Sequence, residues 1–282
     1  MSLSSNGKKF ISPGAWFSMY YPSEWSEFED REGSFLFYNP DNWNGNFRIS
    51  AFKESGELPG AFKFGQRSVE TELKDNPSAT LIRIGSLECA YSKVMYQEEG
   101  EYYVSHIWIV GIENVAFECS FTVSKGNDIS PAEQIITTLQ IRKDEVKYPA
   151  EIIPIRLAEI FMLNESYEWV VSTVKKQLKK DFQGVEDDLS NIQQVIESSE
   201  IKPKQKDAWI SFGIAVCVIL ANEVDGLEWK TLIDGNRETP VLQYRDSGNI
   251  IDPMRLVWSK VKAGERPDVV KAYGDVIESL AN

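Results

Sequence analysis

Residues 15–25 constrain this 282-residue chain more than any other stretch. Phe17, Met19 and Tyr21 alternate with Ser18 and Tyr20, the period-two pattern of a strand with one buried face. Pro22 then removes a backbone donor and stops the ladder. Trp25, three residues beyond, is placed to fold back over the strand it follows. A strand this aromatic needs a second apolar layer to cover it, so the chain opens on a packed β-sheet domain.

Up to about residue 141 the pattern stays strand-rich. Residues 9–12 and 15–21 flank Pro13-Gly14 and read as a hairpin. Strands over 34–38 and 47–52 follow, then a helix over 62–75, with Phe64, Val69 and Leu73 on its apolar side, ended by Asn76-Pro77. Residues 87–97, 102–110 and 115–123 form a meander. Ser130-Pro131-Ala132-Glu133 reads as an N-cap, a first-turn proline and an N3 glutamate opening another helix.

Residues 142–154 carry two prolines and mixed charge and read as a linker. Beyond it the periodicity is helical over 155–164, 167–182, 187–199 and 204–222. A two-stranded hairpin over 227–233 and 239–244 turns at Asp234-Gly235-Asn236. A helix capped by Asp252-Pro253 runs through Val261, and Pro267-Asp268 starts the last one. The expectation is an α+β protein of two domains. Residues 1–145 form an antiparallel sheet with flanking helices, and 153–282 a mostly helical domain with a β-hairpin.

The segment with Gly14, Phe17, Ser18, Pro22 and Trp25 resembles the opening strand of the PsbP/Mog-like domains, of the form Gly-x-x-Phe-Ser-φ-x-φ-Pro-x-x-Trp. The resemblance covers residues 8–142. It implies an antiparallel sheet of about seven strands with flanking helices, and non-catalytic binding to other proteins. It assigns no functional residue to a position in this chain. The chain as a whole also resembles a two-domain Bacteroides-type family without an assigned activity.

Composition narrows the function classes. The net charge of −13 is spread over both halves, which disfavours nucleic acid as a partner. The densest basic cluster, Lys175, Lys176, Lys179 and Lys180, is answered by Glu168 and Asp181 and reads as a solvated helix face. The apolar run 208–221 falls short of the roughly 20 residues a membrane span needs, so a buried core helix is expected and a membrane partner is not. No apolar segment follows Lys8 and Lys9, so no secretion signal is read. Cys89, Cys119 and Cys217 fit reduced packing residues of a cytoplasmic protein.

Four constellations carry chemistry. A four-residue turn at 111–114 would pair His106 with Cys119, and the turn at Glu99-Gly100 puts Lys93 on the other side of His106. That is an arrangement able to activate a thiol, set against a core face of Val104, Trp108, Phe117 and Phe121. Glu228, Asp234, Arg237, Arg245 and Asp246 surround the second hairpin and suit either acid–base work in a hydrolase or simple turn chemistry. Trp43, beside Asp41 in the polar loop 39–46, suits a protein anchor, a sugar-stacking ring or a ring folded back on the sheet. No phosphate-binding glycine loop or GxSxG elbow is present, and one histidine cannot build a multi-histidine metal site. The expected function is therefore non-catalytic binding of another protein, interaction or inhibitor-like, with Trp43 and Asp41 at the partner surface and neither cofactor nor metal. A carboxylate hydrolase and a small-ligand or carbohydrate binder are the alternatives.

Overall fold

The structure is a computed structural model that describes residues 3–29, 33–54, 60–143, 145–198, 201–235, 237–245 and 247–281. The chain divides into two compact units, residues 1–148 and 149–282. Both mix helices with antiparallel sheets, so the protein is α+β.

In unit 1 a short helix α1 (Leu3–Asn6) precedes β1 (Lys8–Ile11) and β2 (Phe17–Tyr21). Ser12 holds the turn between them, its Oγ accepting from the backbone N–H groups of Trp16 and Phe17 at 3.2 and 3.1 Å. Phe17, Met19, Tyr21 and Trp25 are buried, and Trp25 stacks on Phe121 at 6.1 Å. The tryptophan after Pro22 thus enters the core, its ring on Phe121 of the large sheet.

The chain continues through β3 (Ser26–Glu29), β4 (Ser34–Tyr38), β5 (Asn46–Lys53), α2 (Phe64–Asp75), β6 (Thr80–Ile84), β7 (Leu87–Glu98), β8 (Glu101–Ile112), β9 (Val115–Ser124), α3 (Ser130–Thr137) and β10 (Gln140–Ile141). These strands make two sheets, one of order β1-β2-β10 and one of order β3-β4-β5-β9-β8-β7-β6. Phe10 meets Phe35 and Phe37 at 4.8 and 5.3 Å, and Phe17 meets Phe117 at 5.2 Å, so the small sheet seals one face of the large one. Ile135 and Ile136 of α3 join this core. On the opposite face α2 crosses β8 with backbone against backbone. A Cβ on Gly65 would lie 2.4 Å from the Val115 carbonyl oxygen, and one on Gly111 would lie 2.2 Å from that of Gly65.

Three expectations for this unit need correction. Three strands, β3, β6 and β10, escape the sequence pattern, and the sheets number two rather than one. Ser130 is the first residue of α3 rather than its cap, and Asp128 accepts from its backbone N–H at 2.9 Å.

Unit 2 consists of β11 (Glu151–Pro154), α4 (Leu157–Leu178), α5 (Asp188–Ser198), α6 (Lys206–Glu223), β12 (Leu227–Asp234), β13 (Arg237–Tyr244), β14 (Ile250–Ile251), α7 (Pro253–Leu256), α8 (Trp258–Lys262) and α9 (Val269–Ala281). Helix α6 is its axis, with Phe212, Ile214, Val216, Ile219 and Leu220 all at 0% exposure. Among the described residues no helix is long and apolar enough to cross a membrane.

The expected hairpin β12–β13 is the middle of a four-stranded sheet, order β11-β12-β13-β14. Strand β11 lies in the stretch read as linker, stapled by Ile152↔Leu232 and its neighbours. The two helices expected over 155–182 are one 22-residue helix, α4. The single helix expected from Asp252 to Val261 is instead two short ones, α7 and α8.

Candidate functional site

The loop between β4 and β5 is shaped from within. Asn39 Oδ1 accepts from the backbone N–H groups of Asp41 and Asn42 at 3.0 and 3.1 Å, a side-chain mimic of a backbone turn. Gly45 sits at φ 128°, where a Cβ would lie 2.2 Å from the Phe121 ring, so the loop is pressed onto the core. Trp43 Nε1 donates to Asn46 Oδ1 at 2.6 Å. Its ring meets Tyr103 edge-on at 6.0 Å, and Tyr103 stacks on Tyr96 at 5.8 Å. The tryptophan therefore rests on the sheet yet stays 41% exposed. Asp41 is exposed beside it, its carboxylate in no ion pair among the described residues.

Around this ring the far end of the β7–β8 hairpin carries more apolar surface than solvent normally sees. Val94 and Met95 are each 55% exposed, Tyr102 49% and Tyr96 39%. The strands outrun the core here, because α2 and the small sheet cover only the other end. Glu99 (φ 50°) and Gly100 (φ 92°) close the hairpin in a two-residue turn, leaving Glu98 opposite Glu101.

The His106–Cys119 pairing expected from sequence is not formed. The turn between β8 and β9 is Glu113-Asn114, with Glu113 at φ 51°, so Ile112 pairs with Val115 and the register moves by two residues. His106 faces Phe121, and Cys119 faces Trp108. Lys93 does lie opposite His106. The His106 Nδ1 is 2.7 Å from the Tyr91 hydroxyl, and the imidazole lies beside both Tyr91 and Trp108 at 5.9 and 6.0 Å, those two rings being 5.6 Å from each other. Burial, then the Lys93 charge, hold it below the usual imidazole range. Cys119 is wholly enclosed, its thiol pushed well up by burial and then by Cys89 and Glu118. Burial raises the Cys89 thiol to about 11. Neither sulfur is a thiolate near neutral pH.

The carboxylates of the second hairpin do not converge. Glu228 is exposed, and Lys230, bonded at 2.6 Å, holds its carboxyl below the usual range, the reverse of what a general acid needs. Asp234 lies exposed at the turn opposite Arg237. Arg237 bonds Thr239 at 3.1 Å, and Arg245 lies over the Tyr244 ring at 4.9 Å. Asn236 and Asp246 lie outside the described residues.

Two acids, one half-buried and one buried, were not singled out from sequence. Glu159 accepts from the Thr231 hydroxyl and from the Arg156 backbone N–H at 3.5 Å. Burial raises its carboxyl despite those bonds. Asp188, 4% exposed, accepts from the backbone N–H groups of Gln183, Gly184 and Val185 at 2.8, 2.9 and 3.3 Å. An acid three residues into a helical run signals the first, and an acid following a glycine at a helix start signals the second. Both are satisfied by backbone and hydroxyl groups. Among the described residues no group of three His, Cys, Asp or Glu side chains is placed to hold a metal.

The class this defines is a two-unit α+β protein with an aromatic surface at one end of its first sheet. The chain belongs to the family described as Domain of unknown function (DUF3805), which matches residues 5–164. A second description, Domain of unknown function (DUF3806), matches residues 188–273. A crystal structure of a protein from Bacteroides thetaiotaomicron VPI-5482 is 62% identical, with a TM-score of 0.90 over 97% of this chain and 99% of that one. Cyanobacterial PsbP (CyanoP) from Synechocystis sp. PCC 6803 is 13% identical, TM-score 0.25, over 49% of this chain and 93% of that one. LpqN, involved in cell envelope biogenesis of Mycobacterium tuberculosis, is 14% identical, TM-score 0.28, over 49% and 86%. No curated protein matches the chain.

Proposed function

We propose that this protein binds another protein without catalysis, through the aromatic surface around Trp43. One observation carries the reading: Trp43, Tyr96 and Tyr102, with Val94 and Met95, are each about two-fifths exposed or more at one end of one sheet. Val94 and Tyr96 share the face of Tyr103 and Trp43, while Met95 and Tyr102 lie on the other. Apolar exposure gathered on both faces of one sheet end marks interaction surfaces where scattered side chains do not. Tyrosine and tryptophan are the side chains that most often anchor such contacts. The PsbP/Mog-like motif at residues 14–25 supports the same reading, because binding to other proteins is what those domains share. Three buried, unpaired cysteines support work in a reducing compartment, the cytoplasm.

Trp43→Ala tests the proposal. The ring lies on the sheet rather than in the core, so the thermal unfolding midpoint should stay within a few degrees. Capture of the partner from lysate should weaken, and an unchanged capture profile overturns the role of Trp43. The same rings suit sugar stacking, and a thermal-shift screen in which oligosaccharides raise the midpoint would favour that reading instead.

A further inference from the structure

Strand β7 is paired on both sides for only part of its length. On one side β8 accompanies it to Glu98, but on the other β6 covers only Leu87 to Tyr91. From Ser92 to Glu98 that side faces no strand among the described residues. The direction of its backbone groups follows from the ladder. The Thr80 hydroxyl donates to the Tyr91 carbonyl at 3.4 Å, so Tyr91 faces β6. Alternation then turns the N–H and C=O groups of Lys93, Met95 and Gln97 the same way.

An open edge of this kind is a template for a further strand, and natural proteins usually block one. Here the side chains beside it are Val94, Met95 and Tyr96, all exposed, and Tyr96 continues through Tyr103 to Trp43. The charge at its outer end is mostly of one sign, the cation there being Lys125, held over the Tyr102 ring at 5.5 Å. Glu98, Glu99 and Glu101 are exposed at the hairpin tip and form no ion pair among the described residues.

Resting on the protein-binding reading above, we propose that the open edge of β7 takes up an extended basic segment of another protein as an added strand. Its main chain bonds Lys93, Met95 and Gln97, and its lysine or arginine side chains meet Glu98, Glu99 and Glu101. Its alternate side chains lie along Tyr96, Tyr103 and Trp43. A second copy of this chain fits less well. Two β7 edges pairing about Met95 would set Glu98 against Ser92 and give the tip carboxylates a single cation, Lys93, lying diagonally from Glu99. Lys93, exposed at the inner end of the open edge, further disfavours indiscriminate pairing.

The test uses the full chain and a fluorescein-labelled heptapeptide alternating lysine and valine, with its glutamate–valine counterpart, in anisotropy titrations. The lysine peptide should bind at least about tenfold more tightly than the glutamate peptide. Met95→Pro removes the central outward N–H and leaves the ladder to β8 intact, so it should weaken binding about tenfold. Combined Glu98→Lys, Glu99→Lys and Glu101→Lys should reverse the peptide preference. In the wild-type chain, which needs no variant to fold, amide exchange at Lys93, Met95 and Gln97 should slow when the lysine peptide is added. Equal affinities for the two peptides, or exchange unchanged at those three amides, overturns the proposal. A wild-type dimer in sedimentation that Met95→Pro abolishes also overturns it, because the edge then belongs to a second copy. If Trp43→Ala still abolishes partner capture while the peptide results fail, strand addition falls and the protein-binding reading stands. Lysine-peptide binding lost in Met95→Pro, with capture indifferent to Trp43→Ala, supports strand addition and removes the tryptophan from it.

Discussion

Alanine at Gly65 offers a test whose sign alone decides the issue. In an unobstructed helix, glycine to alanine stabilises by up to about 1 kcal/mol. Here the new methyl would lie 2.4 Å from the Val115 carbonyl oxygen, 2.7 Å from the Ile112 nitrogen and 2.9 Å from the Gly111 Cα. Ordinary contact needs roughly 3.5–4 Å, and every obstacle is backbone, so no rotamer change relieves the clash. Helix α2 must retreat by more than an ångström. That loosens Val69 and the hydrogen bond from the Gly65 N–H to the Glu113 carbonyl, 3.0 Å long. Overpacking of about 1–3 kcal/mol and a lost hydrogen bond of about 1 kcal/mol outweigh the helix gain, for a net cost of about 2–3 kcal/mol. Gly111→Ala meets the Gly65 carbonyl oxygen at 2.2 Å and should cost a similar amount. One retreat relieves both clashes, so the double variant should fall short of the sum by about 1–2 kcal/mol. Hydrogen–deuterium exchange in peptides from β8 and β9, followed through a urea series, reads unit 1 separately from unit 2. A stabilised Gly65→Ala, or strictly additive costs, would refute the backbone-contact account.

His106 is the one histidine in the chain, so its imidazole resonance can be titrated without assignment. Its proton affinity is depressed in the folded state, so as pH falls through about 6.5 the unfolded chain gains a proton first and stability declines until the folded pKa is passed. His106→Gln should flatten that slope, and a folded midpoint at or above the unfolded value contradicts the reasoning. Glu159 carries the opposite linkage. Its raised carboxyl means stability is fullest at low pH and is lost as pH rises from about 4.5 through the folded pKa. Glu159→Gln should therefore be neutral to about 1 kcal/mol stabilising at pH 7, whereas Glu159→Ala should cost about 1–2 kcal/mol by stranding Thr231 and the start of α4. Equal losses in urea denaturation would count against it. Asp188→Ala deprives three backbone N–H groups of their acceptor and should cost about 2–4 kcal/mol, read as faster exchange in α5. A change below about 0.5 kcal/mol would mean that water replaces the carboxylate.

What the sequence displays and what it hides divide along physical lines. Strand β2, Pro22 and Trp25 are legible because alternation, a missing donor and a large apolar ring act within eleven residues. Strand β4 is read with the bounds it has, Ser34–Tyr38, since its aromatics sit between turn residues. Strand β3 is hidden because Phe28 is its only apolar side chain, and it is held from outside by stacking on Tyr38 at 4.6 Å. Strand β11 is hidden because prolines flank it, yet a proline at the end of an edge strand sacrifices nothing. Asn164 and Ser166 suggest a break in α4, but their helix cost of a few tenths of a kcal/mol is small beside the burial of Leu163, Val170 and Val174. The same limit governs the candidate surface. Trp43 is conspicuous in its polar loop, whereas Tyr103 and Tyr96 join it only through a register that no local pattern encodes. The turn at Glu113-Asn114 shows how little it takes: two residues fewer in a loop move His106 from Cys119 to Phe121.

The sealed sulfurs have a use that no engineering need supply. Cys89 and Cys119 are enclosed in unit 1 and Cys217 in unit 2. An alkylating reagent added during gradual denaturation would therefore stamp each half at the moment it opens. Mass spectrometry of the stamped fragments would then give the order in which the native chain comes apart.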